Sequence, residues 1–257
     1  MDTFQPGSLI NTAQAAMHFQ PAISVIVAAK DEEKCIARTL QSVRDQRYPV
    51  ELIVVSNGST DRTARISSGY ADRVIELAEP SIPASKNAGY REASGSIVAF
   101  LDADSPMRPG LVGETVRLVN SGYAGGKARI HPETQNVAGH LLFWYANLSN
   151  KLAMEWGNTH PGSPQSGSGA YIFCTRKAAE GILKSYGSLF DEGLATMEDV
   201  DFTKRMAEQG SLAFAEGGVS TSVRRYVKGR GHYLGVFLRD DCLAYLNPEG
   251  KRRQWHR

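Results

Sequence analysis

Hydrophobic and polar positions change period along this chain in a way that lays out most of a fold. Ile23-Ser24-Val25-Ile26-Val27 is a short apolar run of the kind that forms a buried strand. After it Ile36, Leu40 and Val43 recur at helical spacing, which predicts an amphipathic helix from Glu32 to Gln46. Glu51-Leu52-Ile53-Val54-Val55 reads as a second strand, stopped by Asn57-Gly58, and a short helix is expected from Asp61. Arg73 to Leu77 reads as a third strand, Ala84 to Ala93 as a helix and Ser96 to Leu101 as a fourth strand. Strands alternating with helices at this pitch predict an α/β fold with a mostly parallel sheet flanked by helices. In such sheets ligands gather beyond the carboxyl ends of the strands, and Asp31, Asn57, Asp102 and Asp104 all fall just past predicted strand ends.

Beyond Pro109 the pattern changes. A helix from Pro109 to Val119 precedes a strand from Gly122 to Ile130 and an aromatic-rich helix from Val137 to Trp156, in which Leu141-Leu142-Phe143-Trp144-Tyr145 is expected to supply core. A Gly/Ser/Pro loop, Pro161 to Gly169, leads into an apolar strand from Ala170 to Cys174, and another helix opens at Met197-Glu198-Asp199. Tyr233 to Leu246 has amphipathic spacing, with Arg252 and Arg253 beyond it. That segment is expected to pack on the domain, and the same chemistry suits an anionic membrane surface. No internal repeat or low-complexity linker interrupts the chain. The expected organisation is a loose leader over 1–20 and one domain over 21–257. Within that domain, 21–108 form a nucleotide-type half, 109–230 an acceptor-side half, and 231–257 a C-terminal helix with a basic tail.

Composition narrows the class. With 257 residues, 42% of them hydrophobic, the chain can bury a sizeable core, and a net charge of +2 calls for no nucleic-acid partner. Three cysteines, Cys35, Cys174 and Cys242, are odd in number and far apart, which predicts reduced, buried thiols in a reducing compartment. Met1 to Gln20 lacks a basic start with an apolar core, and no apolar stretch reaches the ~20 residues of a spanning helix, so a cytoplasmic location is expected, either in solution or peripheral to the inner face of a membrane. The turn Ala28-Ala29-Lys30-Asp31-Glu32 has no glycine, Gly229-Arg230-Gly231 with Gly235 has the wrong spacing, and Gly125-Gly126-Lys127 lacks the rest of a phosphate loop. Dinucleotide-dependent and P-loop chemistries therefore drop out.

The most informative stretch is Val98-Ala99-Phe100-Leu101-Asp102-Ala103-Asp104. Alternation on an extended backbone would turn Asp102 and Asp104 to one side, where two hard oxygen donors can hold Mg²⁺ or Mn²⁺ and the metal can grip a diphosphate. The structural alternative is that Asp104-Ser105-Pro106 is simply turn chemistry.

Taken together, these segments resemble family 2 glycosyltransferases of the GT-A fold. The resemblance runs from about Ile23 to Tyr226 and rests on five elements in the family's order: Ile23 to Glu33, Ser56-Asn57-Gly58-Ser59-Thr60-Asp61, Ser85-Lys86-Asn87-Ala88-Gly89, Asp102 to Asp104, and Glu198-Asp199 followed by Asp201-Phe202. Two departures stand out: Lys30 occupies a position often aromatic in the family, and Ser56-Asn57 replaces an acidic pair. The resemblance implies transfer of a sugar from a nucleotide-sugar donor to an acceptor hydroxyl by an inverting displacement assisted by Mn²⁺ or Mg²⁺. It implies Asp199 as general base, Asp104 as a direct metal ligand, and Asp102 at the ribose or in the metal's outer coordination sphere. Ala28, Asp31, Glu32, Asn57, Lys86 and Ala103 would line the donor side, with Lys86 neutralising a phosphate or pairing with the Asp cluster, Arg224 and Arg225 would steady the departing diphosphate, and His232 would add a late metal ligand. A UDP- or dTDP-sugar is expected as donor, and the acceptor could be a glycan, a lipid-linked sugar or a protein.

Each of these residues also has a plainer reading. Thr196 to Asp199 fits a helix cap, Lys86 an exposed helix lysine, and Arg224 and Arg225 with Lys228 and Arg230 a solvated basic run. Isolated histidines are seldom ligands, which applies to His131, His160 and His232. Trp156 and the loop after it are acceptor-side candidates. Two other functions share the fold-level pattern: a nucleotidyltransferase, which should carry a phosphate-cradling loop where Ala28 to Glu33 offers none, and a sugar-nucleotide-binding module without turnover.

Overall fold

A computed structural model describes residues 22–134, 137–160, 169–194 and 197–222. Strand β1 (Ile23–Ala29) is followed by helix α1 (Ile36–Arg44), β2 (Val50–Asn57), α2 (Thr63–Ser67), β3 (Arg73–Leu77), α3 (Ile82–Glu92) and β4 (Ile97–Asp102). The second half adds α4 (Leu111–Asn120), β5 (Gly125–Glu133), α5 (Val137–Thr159), β6 (Tyr171–Thr175), α6 (Arg176–Tyr186), α7 (Glu198–Ala207) and β7 (Leu212–Ser222). All seven strands form one sheet in the order β3-β2-β1-β4-β6-β5-β7. β1, β2, β3 and β4 are mutually parallel, β6 runs antiparallel between β4 and β5, and β7 lies parallel to β5 at the edge.

The parallel half follows from its apolar runs, because strands covered on both faces need not alternate. Val25, Val27, Leu52 and Val54 face one layer with Leu40 and Val43 of α1 and Leu111 of α4. Ile26, Ile53, Val55 and Phe100 face the other, with Ile182 of α6 and Phe202 and Met206 of α7. Burial of these two layers is the main stabilising term. Local chemistry sets the helix starts: the Ser81 hydroxyl accepts from the Ala84 amide at the head of α3, and the Thr175 hydroxyl accepts from Ala178 at the head of α6.

Several expectations change. The expected helix from Glu32 begins at Ile36, because Glu32 and Glu33 spend their amides on the neighbouring β2–α2 turn. Helix α6 and strand β7 were not read from the sequence at all. β4 ends at Asp102, and the Ser105 amide bonds the Asp102 carbonyl at 3.1 Å, so Asp104 lies in a turn and strand alternation does not align it with Asp102. In α5, Phe143 is core at 2% exposed, but Leu141 and Trp144 are each 61% exposed. The helix lies against β5 and β7 at the edge of the sheet, so among the described residues only that side is covered.

Gly89 shows how tightly α3 sits on the sheet. A Cβ there would come within 2.3 Å of Ile26 Cγ2. Gly89→Ala is expected to destabilise the protein by ~1–3 kcal/mol through overpacking, read as a lower urea midpoint with an unchanged slope. An unaltered midpoint would show that α3 can lift off without penalty.

Candidate functional site

Parallel pairing brings the turns after β1, β2 and β4 to one end of the sheet, with Ala29 level with Ser56 and Ala28 level with Asp102. Past Ala29 the chain turns sharply, and Asp31 takes a left-handed φ of 53°. Its Oδ1 accepts from the Thr60 amide at 2.8 Å, the Glu32 amide donates to Thr63 Oγ1 at 2.8 Å, and the Glu33 amide donates to Asp61 Oδ2 at 3.1 Å. Burial alone would raise the Asp61 carboxyl, but the Thr63 hydroxyl and amide and the Glu33 amide outweigh it and hold the group below its ordinary value. These bonds knit the two turns into one platform. Glu32 Oε2 also accepts from the Cys35 thiol at 2.8 Å. Cys174, by contrast, is fully buried in β6, where burial pushes its thiol up to about 12.

Asn57 closes β2 and is only 4% exposed. Its side-chain oxygen accepts from the Ser81 amide at 2.7 Å, so it fixes the entrance to α3. One turn into that helix, Lys86 is buried, and its Nζ donates to Asp199 Oδ1 at 2.5 Å and to Glu198 Oε1 at 3.1 Å, both at the head of α7. Burial alone would push the Lys86 ammonium down; Asp199, Glu198 and Asp102 reverse this and raise it above the ordinary lysine value. Its Nζ also lies 5.0 Å from the centre of the Phe190 ring, which stacks on Phe202 of α7 at 4.4 Å. Asn87, the next residue, grips the Phe190 backbone both ways: its Nδ2 donates to the carbonyl at 2.9 Å and its Oδ1 accepts from the amide at 3.0 Å. Sequence reasoning named Lys86 and Asp199 but missed their bond, and gave no role to Glu198 or Asn87. Nothing local to either segment announces a contact more than 100 residues away.

The plainer reading of Thr196 to Asp199 is a helix cap. Thr196 lies outside the described residues, and the cap position belongs to Met197, at φ 65°, which makes no side-chain cap bond. Asp199 is therefore held by Lys86, with the first-turn dipole also favouring its charge.

At the end of β4, Asp102 and Asp104 are partly exposed, and Ala103 between them is 4% exposed. Two carboxylates on a tight turn are the hard donors a divalent cation prefers, so this donor set fits Mn²⁺ or Mg²⁺. Among the described residues, no group of three or more His, Cys, Asp or Glu side chains is placed to hold a metal. The Ser105 hydroxyl beside Asp104 donates to Thr221 Oγ1 at 3.1 Å, which ties the end of β7 to this turn. Arg224, Arg225 and His232, a few residues further on, lie outside the described residues, as does most of the loop after α5.

The structure thus brings Ala28, Asp31, Asn57, Lys86, Asp102 and Asp199 to one end of the sheet, with Glu32 on the adjoining turn. It does not bring Trp156 there. Asn158 bonds the Leu212 backbone at the start of β7, the end of the sheet opposite Asp102, and Trp156 stacks on His160 at 3.7 Å in that region. His131 sits on the β5–β7 pair, where burial, Arg108 and Arg129 lower its pKa. Among the described residues, no helix is long and apolar enough to cross a membrane.

The profile of the family described as Glycosyl transferase family 2 matches residues 24–172. Glycosyltransferase AglE of Haloferax volcanii is 27% identical over 208 residues, covering 76% of this chain and 64% of the relative, so the chain spans under two thirds of that protein's length. Among solved structures, mannosyltransferase PcManGT from Pyrobaculum calidifontis, in complex with GDP-Man and Mn²⁺, superposes with a TM-score of 0.66 at 19% identity, over 91% of this chain and 66% of that one. Glucosyl-3-phosphoglycerate synthase from Mycobacterium tuberculosis, in complex with Mn²⁺, UDP and phosphoglyceric acid, gives 0.60 at 20% identity, over 98% and 86%. Likeness at these identities establishes a shared GT-A fold.

Removing Lys86 leaves Asp199 and Glu198 without their ion-pair partner and Asp102 without the nearby positive charge. Lys86→Met is expected to destabilise the protein by ~3 kcal/mol, since breaking a buried ion cluster strands the remaining charges. Because the folded-state value of Lys86 is raised, its contribution is fully present below the ordinary lysine value and is lost only as pH rises through the higher folded one. The wild-type advantage in unfolding free energy should therefore stay level from about neutral to about pH 9 and shrink only in stronger alkali. An advantage that shrinks near neutrality would contradict the ion cluster.

Proposed function

Because the chain belongs to glycosyl transferase family 2, we propose that it transfers a sugar from a nucleotide-sugar donor to an acceptor hydroxyl with inversion. The observation that carries this reading is the Lys86 cluster, which places Asp199 at the same sheet end as Asp102. The donor's nucleoside would lie over the turns bearing Ala28, Asp31 and Glu32, near Asn57. Asp102 and Asp104 would hold Mn²⁺ or Mg²⁺, with His232 as a further ligand; the cation, when bound, would neutralise diphosphate charge. Arg224 and Arg225 would add positive charge at the departing diphosphate.

Asp199 would act on the acceptor. Its Oδ1 accepts from Lys86, and its second oxygen would take the proton of the acceptor hydroxyl as that oxygen bonds to the anomeric carbon. The bond from that carbon to the nucleotide diphosphate breaks in the same displacement, which inverts the centre. A UDP- or dTDP-sugar is our choice of donor. The GDP-Man in PcManGT makes GDP-sugars the comparison to run beside it.

Asp199→Asn separates base from structural partner. If Asp199 is the base, turnover per folded molecule should fall by ~10²–10⁴-fold while the donor KM stays within a few-fold. If it only holds Lys86, the melting temperature should drop while turnover of the folded fraction stays near wild type, and the base assignment fails. The metal has its own test. Uridine or guanosine diphosphate should raise the melting temperature more with Mn²⁺ than with EDTA, by selective binding to the native state, and Asp104→Ala should erase that difference. A difference that survives in the variant removes Asp104 from the metal site.

A further inference from the structure

Helix α5 carries an apolar stripe that the described part of the fold leaves bare. Val137, Leu141, Trp144, Leu148, Leu152 and Trp156 recur every three or four residues on one side, exposed by 72%, 61%, 61%, 38%, 54% and 57%. Along the helix the stripe runs ~29 Å, and contiguous apolar surface on that scale marks a contact site. The opposite side of α5 is already used: Phe143, Ala146, Ala153 and Met154 are core, and Asn147 is bonded to both backbone groups of Ile130.

We propose that this stripe is the docking site of the chain's own segment 233–246, laid along α5 as an amphipathic helix. Three observations favour that occupant. First, the chain leaves the described part beside the stripe: Ser222, the last residue of β7, pairs with Glu133 of β5, and α5 starts at Val137, just past Glu133. Second, the segment matches in kind and length. Leu234, Phe237, Leu238 and Tyr245 fall on one helical face that Asp241 interrupts, and a helix over 233–246 would span ~21 Å. The intervening residues 223–232 can reach up to ~33 Å, enough to place it anywhere along the stripe. Third, a tethered segment presents itself at ~mM effective concentration, an advantage a second copy or a lipid surface lacks. The rim also gives an anionic surface little to hold, since Lys151 is engaged by Glu216 at 2.9 Å and Glu155 is exposed beside Trp156.

The tryptophans make this testable in the full-length chain. There are three, Trp144 and Trp156 on the stripe and Trp255 beyond the segment, so Trp255→Phe leaves only the stripe to report. Docking predicts blue-shifted emission and acrylamide quenching several-fold weaker than for free tryptophan, unchanged on dilution of the monomer. Adding Phe237→Asp with Leu238→Asp should restore strong quenching, whereas Phe237→Leu with Leu238→Met should keep the shielding. Met17→Asp with Phe19→Asp, in the N-terminal leader, should leave it intact. Strong quenching in the Trp255→Phe protein would overturn the proposal. So would shielding lost on dilution with dissociation of a dimer, shielding gained only with phosphatidylglycerol vesicles, or shielding removed by the leader variants. If the double aspartate variant does not fold, Leu234→Ser with Tyr245→Ser should give the same rise in quenching, and shielding unchanged in that variant would also overturn the proposal.

Discussion

Lys86 on α3 donates to Asp199 and Glu198 on α7 with Asp102 of β4 close by, and the geometry of the site depends on how that charge is balanced. A lone ammonium at that depth would lose its proton or drag water in. Three carboxylates around it reverse the tendency and make the ion cluster a fixed joint between two helices from opposite halves of the chain. The aromatic stack of Phe190 on Phe202, with Phe100 edge-on to both, fills the space beneath the joint. Asn87 then pins the Phe190 backbone, so the ring under the ammonium cannot drift.

The donor side is organised by polar bonds between turns. Asp31, Glu32 and Glu33 on one side and Thr60, Asp61 and Thr63 on the other exchange hydrogen bonds, and Asn57 reaches across to Ser81. Residues that a motif reading assigns to ligand contact are thus also the fasteners of the surface that would receive it. The two roles suit each other, because a platform whose backbone is already fixed loses little freedom when something binds on it.

The parallel half of the sheet was legible because a strand covered on both faces is predominantly apolar, as Ile23 to Val27 is apart from the buried Ser24 and Leu52 to Val55 is throughout. Strand β7 was not, because Ala213, Ala215, Glu216, Gly217 and Gly218 break up its apolar positions with small and charged residues that carry little strand signal. The aromatic run in α5 was assigned to core since composition cannot say which side of a helix the fold will cover. Asp102 and Asp104 were singled out by strand alternation, but the strand ends at Asp102, before alternation could align the pair. At the site, Asp31, Asn57, Lys86, Asp102 and Asp199 were all named in advance. Their bonds were not, because Lys86 and Asp199 stand 113 positions apart and only the closed fold makes them neighbours.

That separation has a bearing on how the molecule comes into being. Strands β1 to β4 pair with partners that leave the ribosome soon after them, whereas α7 must close a loop of more than a hundred residues before it meets Lys86. Contacts this distant along a chain form late, after the nearer pairings have restricted the search. Until α7 arrives, a nascent chain with most of its sheet in place would hold Lys86 at its rim without Asp199 and Glu198, and Phe190 without its stacking partner, an intermediate with exposed apolar surface. Arrival of α7 then completes the ion cluster and closes the domain in the same event.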